Sequence, residues 1–308
     1  MSRYILGRVL QGVIVLVGAS ILIFVLVRLT GNPVYLLLPM EASQEEVARV
    51  SSKLGLDKPI HEQYLIFASN TVRGDFGESI RYKRPVAELL GYRFQNSLRL
   101  GGAALVLAIL IGLPLGVLAA LRRGGAIDIV ARGIAVFGQS VPSFWLGIVL
   151  IAVFAGWLKV LPAALMGGPE TYVLPVITLT LTGFLLSGVL RFLRSGMLEE
   201  LGAEYIKLAR AKGQPERVVI WKHAFKNAST PLVTFIGFYL AMLIGGASLV
   251  VETVFAWPGV GTLLYEAITS RDFPVVQAVA LITVAGFVVV NILIDILYGY
   301  LDPRVRYQ

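Results

Sequence analysis

Apolar residues occur in six long stretches along the chain, each about the length of a membrane-spanning helix. A helix needs roughly 20 predominantly apolar residues to cross the hydrocarbon core of a bilayer. None of the six stretches contains an acidic, basic or histidine residue. Because lipid offers no partner to backbone N–H and C=O groups, we predict that each stretch is a transmembrane helix. The stretches are Val9–Val27, Leu100–Leu121, Gly133–Leu158, Thr171–Leu190, Asn227–Val251 and Phe273–Ile294.

The polar residues between these stretches divide the chain into three parts. Residues 1–29 comprise the N-terminus and the first span, residues 30–97 a predicted extracytoplasmic subdomain, and residues 98–308 a core of five helices. Within the subdomain, Ser43–Glu46 has the pattern of a capping box, which predicts a short helix that ends at Gly55. The predicted fold class is an all-α integral membrane protein.

Composition agrees with lipid as the solvent for much of this chain. Of its 308 residues, 56% are hydrophobic and only 15% are charged, whereas soluble domains have about 25% charged residues. The net charge of +8 is assigned to loops at the membrane surface and not to nucleic-acid binding. The chain has no cysteine, and its two histidines, His61 and His223, are far apart in sequence. No metal site is therefore predicted.

The distribution of basic residues predicts the orientation in the membrane. Basic residues cluster in two loops, residues 122–132 and 191–226, whereas the loops after the third and fifth spans contain one each, Lys159 and Arg271. The positive-inside rule places the two basic loops, and therefore both termini, in the cytoplasm. Three aromatic residues then fall at outer ends of spans, as in an interfacial aromatic belt. They are Trp157, Tyr172 and Trp257.

The second basic loop contains a short amphipathic segment. Four of its residues follow i, i+3, i+4, i+7 spacing and share one helix face, namely Tyr205, Leu208, Ala209 and Lys212. Gly213 and Pro215 are predicted to end this helix. The pattern is compatible with a helix that inserts into a groove of a cytoplasmic partner. It is equally compatible with a linker that lies on the membrane surface and is held by anionic lipid.

This loop resembles the EAA loop of bacterial ABC-importer permeases, in the form found in dipeptide, oligopeptide and nickel permeases. The resemblance rests on Ala209–Gly213, which reads ARAKG, and on His223–Ala228, which reads HAFKNA. Lys207 stands where the wider EAA pattern has a glutamate, and Leu208 replaces its first alanine. Both departures are typical of the peptide branch.

Further stretches resemble the same family along nearly the whole chain. Their order is typical of the first permease subunit of such importers, the B-type, which carries the long outer segment. The resemblance implies the type I ABC-importer permease fold and a location in the bacterial cytoplasmic membrane. The stretches are Arg3–Arg8, Gly55–Pro59, Arg73–Gly77, Ser140–Trp145, Val251–Gly259, Arg271–Gln277 and Leu301–Tyr307.

The resemblance also implies partners and a role. This chain would pair with a second, C-type permease subunit, with two ATP-binding subunits and with an extracytoplasmic substrate-binding lipoprotein. ATP and Mg²⁺ would be bound by the ATP-binding subunits, since this chain has no P-loop motif. It is predicted to have no cofactor, no catalytic residue and no enzymatic activity of its own. The cargo would be peptides, di- or oligopeptides, with nickel, glutathione or haem as alternatives within the family.

Two sets of candidate functional residues follow. The coupling loop, residues 194–230, contains the set implied by the resemblance to contact the ATP-binding subunits. This set is Glu204, Tyr205, Lys207, Leu208, Ala209, Arg210, Ala211, Lys212 and Gly213. The second set consists of polar residues in or beside spans that either line a translocation path or bond neighbouring helices. It is Gln139, Ser140, Ser143, Glu252 and Asn291. Glu252 is alternatively a water-exposed carboxylate or a partner of Arg271.

Two other functional classes remain open at this stage. A secondary transporter would need no ATP-binding partner, but such proteins usually contain inverted repeats, and no repeat is visible here. A membrane scaffold would assemble with partners without carrying any substrate.

Overall fold

The structure is a computed structural model that describes residues 2–29, 43–53, 57–163, 167–246 and 248–301. These ranges are predominantly helical and contain no β-strand, which confirms the all-α class. The capping box is present, because the Ser43 N–H donates to Glu46 Oε2 at 3.0 Å and the Glu46 N–H donates to Ser43 Oγ at 3.3 Å. The predicted helix end at Gly55, residues 30–42 of the outer subdomain and most of the Leu301–Tyr307 motif lie outside the described residues.

We number the helices in chain order. The first half of the chain contains α1 (Ser2–Leu29), α2 (Gln44–Lys53), α3 (Ile60–Val72), α4 (Val86–Leu121), α5 (Ala126–Ser140) and α6 (Ser143–Leu150), which continues as a π-helix over Ile151–Trp157. A 3₁₀ turn at Pro169–Tyr172 leads into α7 (Val173–Leu181), α8 (Leu185–Gly202) and α9 (Glu204–Ala211). There follow α10 (Glu216–Val218), a π-helix at Val219–Ala224, α11 (Phe225–Ala228), α12 (Thr230–Ile244), α13 (Leu249–Val254), α14 (Val260–Thr269) and α15 (Phe273–Leu301).

Only three of the six predicted spans are single long helices in the described residues. These are α1, α4 and α15, and the other three are helix pairs bent by 103°, 45° and 48°. The third, fourth and fifth predicted spans each correspond to a bent helix pair, so the chain has up to six spans in the described residues. The sharpest bend separates α5 from α6, where Val141 is extended at φ −87° and ψ 122°. Pro142 causes this break, because proline disfavours the helical conformation in the residue before it.

The closest helix pair at the centre of the fold is α4 with α8. Every fourth residue of α4 facing α8 is small and buried, so that the backbones can approach. A Cβ added at Gly112 would lie 2.5 Å from Val189 Cγ1, and one added at Gly116 would lie 3.2 Å from Leu193 Cδ2. Larger residues on α4 would therefore separate the two helices. The small residues are Ala104, Ala108, Gly112, Gly116 and Ala120.

The outer segment is joined to the helices of the core. Helix α4 begins at Val86, so the predicted boundary between residues 97 and 98 falls inside one continuous helix. The buried carboxylate of Asp272, at the start of α15, accepts the Ser79 hydroxyl at 2.5 Å and the backbone N–H groups of Ile80 and Arg81 at 3.1 Å each. The segment before α4 is thus fixed to the connection between α14 and α15.

The aromatic belt prediction is wrong for one of its three residues. Trp257 is only 1% exposed. Its indole N–H donates to the backbone oxygen of Asn96 at 3.2 Å, and its ring meets Tyr172 edge-on at 4.6 Å between centroids. Burial therefore satisfies both the apolar ring and the polar N–H of Trp257 inside the protein. Trp157, by contrast, is 80% exposed.

The contact between α4 and α8 predicts opposite effects for two glycines on one helix. A Cβ at Gly102 would meet no atom within 4 Å, so Gly102→Ala should be neutral or slightly stabilising. Gly112→Ala should lower stability by about 1–2 kcal/mol, because overpacking outweighs the gain in helix propensity. The unfolding midpoint of the purified protein in detergent measures both. Equal midpoints for the two variants would contradict the proposed role of the small residues.

Candidate functional site

Helix α9 is held against the body of the protein by one apolar side chain. Ile206 is fully buried in the main hydrophobic cluster, and Ala209 is partly buried against the same cluster. The side chains of Tyr205, Leu208 and Lys212 are exposed, and the exposed fraction of Leu208 is 55%. The predicted face is therefore mostly presented to solvent in this chain, with Ala209 at its inner edge. We refer to α9 as the coupling helix.

Gly213 ends the coupling helix in a Schellman motif. The Gln214 N–H donates to the Ala209 carbonyl at 3.2 Å, and the Gly213 N–H donates to the Arg210 carbonyl at 2.9 Å. This pattern requires a left-handed residue at the C′ position, and Gly213 has φ +76°. The sequence prediction that Gly213 ends this helix is thus confirmed, and glycine is the residue that adopts this conformation without strain.

A hydrogen-bond network fixes the first turn of the coupling helix to its neighbours. The Tyr205 hydroxyl donates to the Glu200 carboxylate and accepts from Asn227 Nδ2 at 2.9 Å. Partial burial and the hydrogen bond to Glu200 raise the pKa of Tyr205, so the phenol stays protonated at physiological pH and can serve as this donor. The side chains of Gln214 and His223 are 3.0 Å apart, which joins the helix end to the following π-helix.

The charged residues of the coupling helix are partly paired among themselves. The Arg210 guanidinium donates to both Glu216 carboxylate oxygens, at 3.1 and 2.6 Å, and Lys207 Nζ lies 2.7 Å from Glu204 Oε1. Both pairs are solvent-exposed, so each contributes at most about 1 kcal/mol. The side chains of Ala211 and Lys212 are exposed. These two residues and Leu208 form the surface most available to a partner.

Two contacts connect α8 to the predicted cytoplasmic loops, and neither is evident from the sequence. Arg194 Nε and Nη2 donate to the two Asp128 oxygens at 2.5 and 3.0 Å, and Asp128 is 1% exposed. A Cβ added at Gly196 would lie 2.7 Å from the Ala228 carbonyl oxygen. The only sequence signal for the ion pair was that Asp128 is the single acidic residue in the basic loop 122–132.

A cavity of about 340 Å³ lies among α6, α7, α8, α12 and α13, and one predicted path residue lines it. This residue is Ser143, at the start of α6. Gln139 and Ser140 are exposed at the end of α5, and Asn291 is exposed on α15, where its Nδ2 donates to the Phe287 carbonyl at 2.8 Å. The five predicted path residues are therefore not gathered around one cavity within this chain.

Glu252 differs from both alternatives considered for it. Its side chain is fully buried, and its carboxylate accepts the hydroxyls of Ser97 and Ser248, each at 2.6 Å, and the backbone N–H of Thr262 at 3.1 Å. The expectation of a water-exposed carboxylate, or of one paired with Arg271, is therefore wrong. Donors from three separate parts of the chain satisfy Glu252 without a cation. It does not line the cavity, so the geometry gives its predicted path role no support.

Comparison with known proteins assigns the whole chain to one family. Residues 112–307 match the family described as "Binding-protein-dependent transport system inner membrane component", and residues 1–111 match its N-terminal family. The matched family has the type I ABC-importer permease fold.

Individual relatives match from end to end. The chain is 38% identical over 309 residues to the "Glutathione transport system permease protein GsiC" of Salmonella choleraesuis and of Salmonella typhi, covering 100% of each chain. It is also 38% identical over 310 residues to the protein of that name from Escherichia coli strain K12, again covering 100% of both. The chain thus belongs to the inner-membrane components of binding-protein-dependent transport systems, and is a multi-pass, non-catalytic permease subunit of an ABC importer.

Proposed function

We propose that this chain forms half of the translocation path for small peptides, di- or oligopeptides, that a substrate-binding protein delivers from outside the cell. The observation that carries the proposal is the open cavity of about 340 Å³ beside exposed aromatic side chains. Phe184 and Phe238, which line it, are 59% and 49% exposed. An apolar face of this kind is suited to a homologous permease subunit, which would complete the walls of the path.

The peptide cargo has independent support from the sequence. The ARAKG and HAFKNA tracts have the form seen in dipeptide, oligopeptide and nickel permeases. The relatives described above are named for glutathione transport, and glutathione is itself a tripeptide. Nickel is less suited to the described residues, because the cavity is lined mainly by apolar side chains and contains no carboxylate, histidine or cysteine.

We further propose that two ATP-binding subunits, which hold ATP and Mg²⁺, contact the coupling helix from the cytoplasm. The contacting residues would be those of the exposed surface, above all Leu208, Ala211 and Lys212. Ala209 and Gly213 would act differently, since Ala209 packs inward and Gly213 shapes the helix end. The movement of the ATP-binding subunits would reach the spans through the buried side chain of Ile206 and through α8.

The cargo proposal is tested with the complete importer in proteoliposomes. The chain, its C-type partner, the two ATP-binding subunits and the binding protein are expected to import a radiolabelled dipeptide only when ATP is present. Import of nickel or haem under the same conditions should not exceed that of liposomes without the complex. ATP-driven import of either of these, together with no import of di-, tri- or longer peptides, would contradict the proposal.

The coupling proposal predicts that Leu208→Glu uncouples the importer. The glutamate would have less apolar contact with the groove of the ATP-binding subunit, and its carboxylate would have to lose water on binding. The affinity of the permease for the ATP-binding subunits should therefore fall at least about tenfold. Co-purification of these subunits and import should both decrease, whereas the unfolding midpoint of the permease should not change. Arg123→Glu, in an exposed turn on the same side, is the control. Unchanged co-purification in Leu208→Glu would favour a helix that lies on lipid instead.

The proposed orientation predicts a labelling pattern that this cysteine-free chain makes simple to measure. Lys212→Cys should react with a membrane-impermeant maleimide only after permeabilisation, because the coupling helix would face the cytoplasm with both termini. Arg73→Cys, in the outer segment, should react in intact cells. Labelling of Lys212→Cys in intact cells would reverse the orientation and remove the basis for contact with ATP-binding subunits.

A further inference from the structure

The cavity has an unusual combination of walls. Most of its lining is apolar and aromatic, with Phe184, Phe192, Phe235 and Phe238 among the lining side chains. Arg191, from α8, is the only charged residue that lines it within the described part of the chain. Arg191 is exposed, so an anionic group that enters the cavity has access to it.

Arg191 has no acidic partner among the described residues. No carboxylate there lies within 4.0 Å of its guanidinium, and its recorded contact is with the ring of Phe192, 5.4 Å from the ring centroid. Arg194, one turn further along the same helix, is by contrast fully engaged by Asp128. The two arginines of α8 therefore differ: one is bound to a buried carboxylate of the protein, and the other is available to a ligand.

Two further residues that line the cavity have unusual features. The Tyr239 hydroxyl is buried and has no hydrogen-bond partner within the described residues, whereas buried polar atoms usually have one. Phe184 has φ +75°, a left-handed conformation that is rare for a bulky residue, at the bend that precedes α8. Both residues line the cavity.

We propose that this cavity binds a small peptide through its free C-terminal carboxylate, which Arg191 holds, with an apolar side chain against the phenylalanine rings. The fork of N–H groups on arginine matches a carboxylate in a bidentate arrangement. The volume of about 340 Å³ lies within the range for ligand pockets, roughly 300–1,000 Å³, so the cavity is large enough for a small peptide. This inference rests on the proposed function and adds that the C-terminal carboxylate is the chemical group of the cargo that the permease recognises.

The experiment measures binding directly, without the substrate-binding protein. The complete complex of permease and ATP-binding subunits, in nanodiscs, is titrated with radiolabelled alanyl-phenylalanine. Unlabelled alanyl-phenylalanine should displace the label, and its C-terminal amide, which lacks the negative charge, should do so at least about tenfold less well. Competition by the amide at equal concentration, or the absence of any saturable binding, would overturn the proposal.

Variants of the arginine test the residue itself. Arg191→Gln should weaken binding of alanyl-phenylalanine by about ten- to a hundredfold, the loss expected for a charge-assisted hydrogen bond. Arg191→Lys should retain part of the affinity, because it keeps the charge without the planar fork. Arg123→Gln removes an exposed cation from the cytoplasmic turn and should bind as the wild type does. Unchanged affinity in Arg191→Gln, with the complex intact on gel filtration, would refute the assignment.

The same variants separate this inference from the proposed function. If the wild-type importer carries the dipeptide in proteoliposomes and Arg191→Gln binds and imports it equally well, the carboxylate site is wrong and the peptide importer stands. If the wild type binds the dipeptide through Arg191 but never imports it, the carboxylate site stands and peptide import is wrong.

Discussion

The close contact between α4 and α8 is the constraint on which the rest of this structure depends. Helices in lipid gain little from apolar burial against each other, so their association relies on close packing. The small residues of α4 allow Val189 and Leu193 to enter its surface. Gly188 and Gly196 do the same on α8, where they receive the Phe235 ring and the Ala228 backbone. Helix α8 is thereby packed against its neighbours on more than one side.

This packing connects the cavity to the coupling helix. Arg191 and Phe192 on α8 line the cavity, Arg194 is bound to Asp128 three residues later, and the helix ends at Gly202, just before the coupling helix. Because Ile206 is buried in the same cluster as Val189 and Leu193, displacement of the coupling helix has to displace or strain α8. A helix that contacts both the cavity and the coupling helix provides a physical route for coupling between them. Such coupling is a shift of the protein between two discrete conformations and not a gradual deformation.

Length and charge of the apolar stretches were sufficient to predict the all-α class, and turn chemistry was sufficient to predict the Ser43–Glu46 cap and the Gly213 helix end. The angles of the bends within three spans were not predicted, because an uncharged stretch looks the same whether it is straight or broken. Pro142 carried a local signal for the sharpest of them. The burial of Glu252 carried none, since its donors Ser97, Ser248 and Thr262 come from separate parts of the chain and meet only in the folded protein.

The two arginines of α8 show why a candidate site needs coordinates. Arg191 and Arg194 are the same residue type, three positions apart on one helix, and both follow the fourth apolar stretch. In sequence they are equivalent contributors to a basic loop. In the structure a distant carboxylate, Asp128, saturates one of them, while the other lines an aromatic cavity without an acidic partner in the described residues. The same guanidinium chemistry thus supports structure at one position and, in our proposal, ligand recognition at the other, and the difference is decided by what the fold brings within reach.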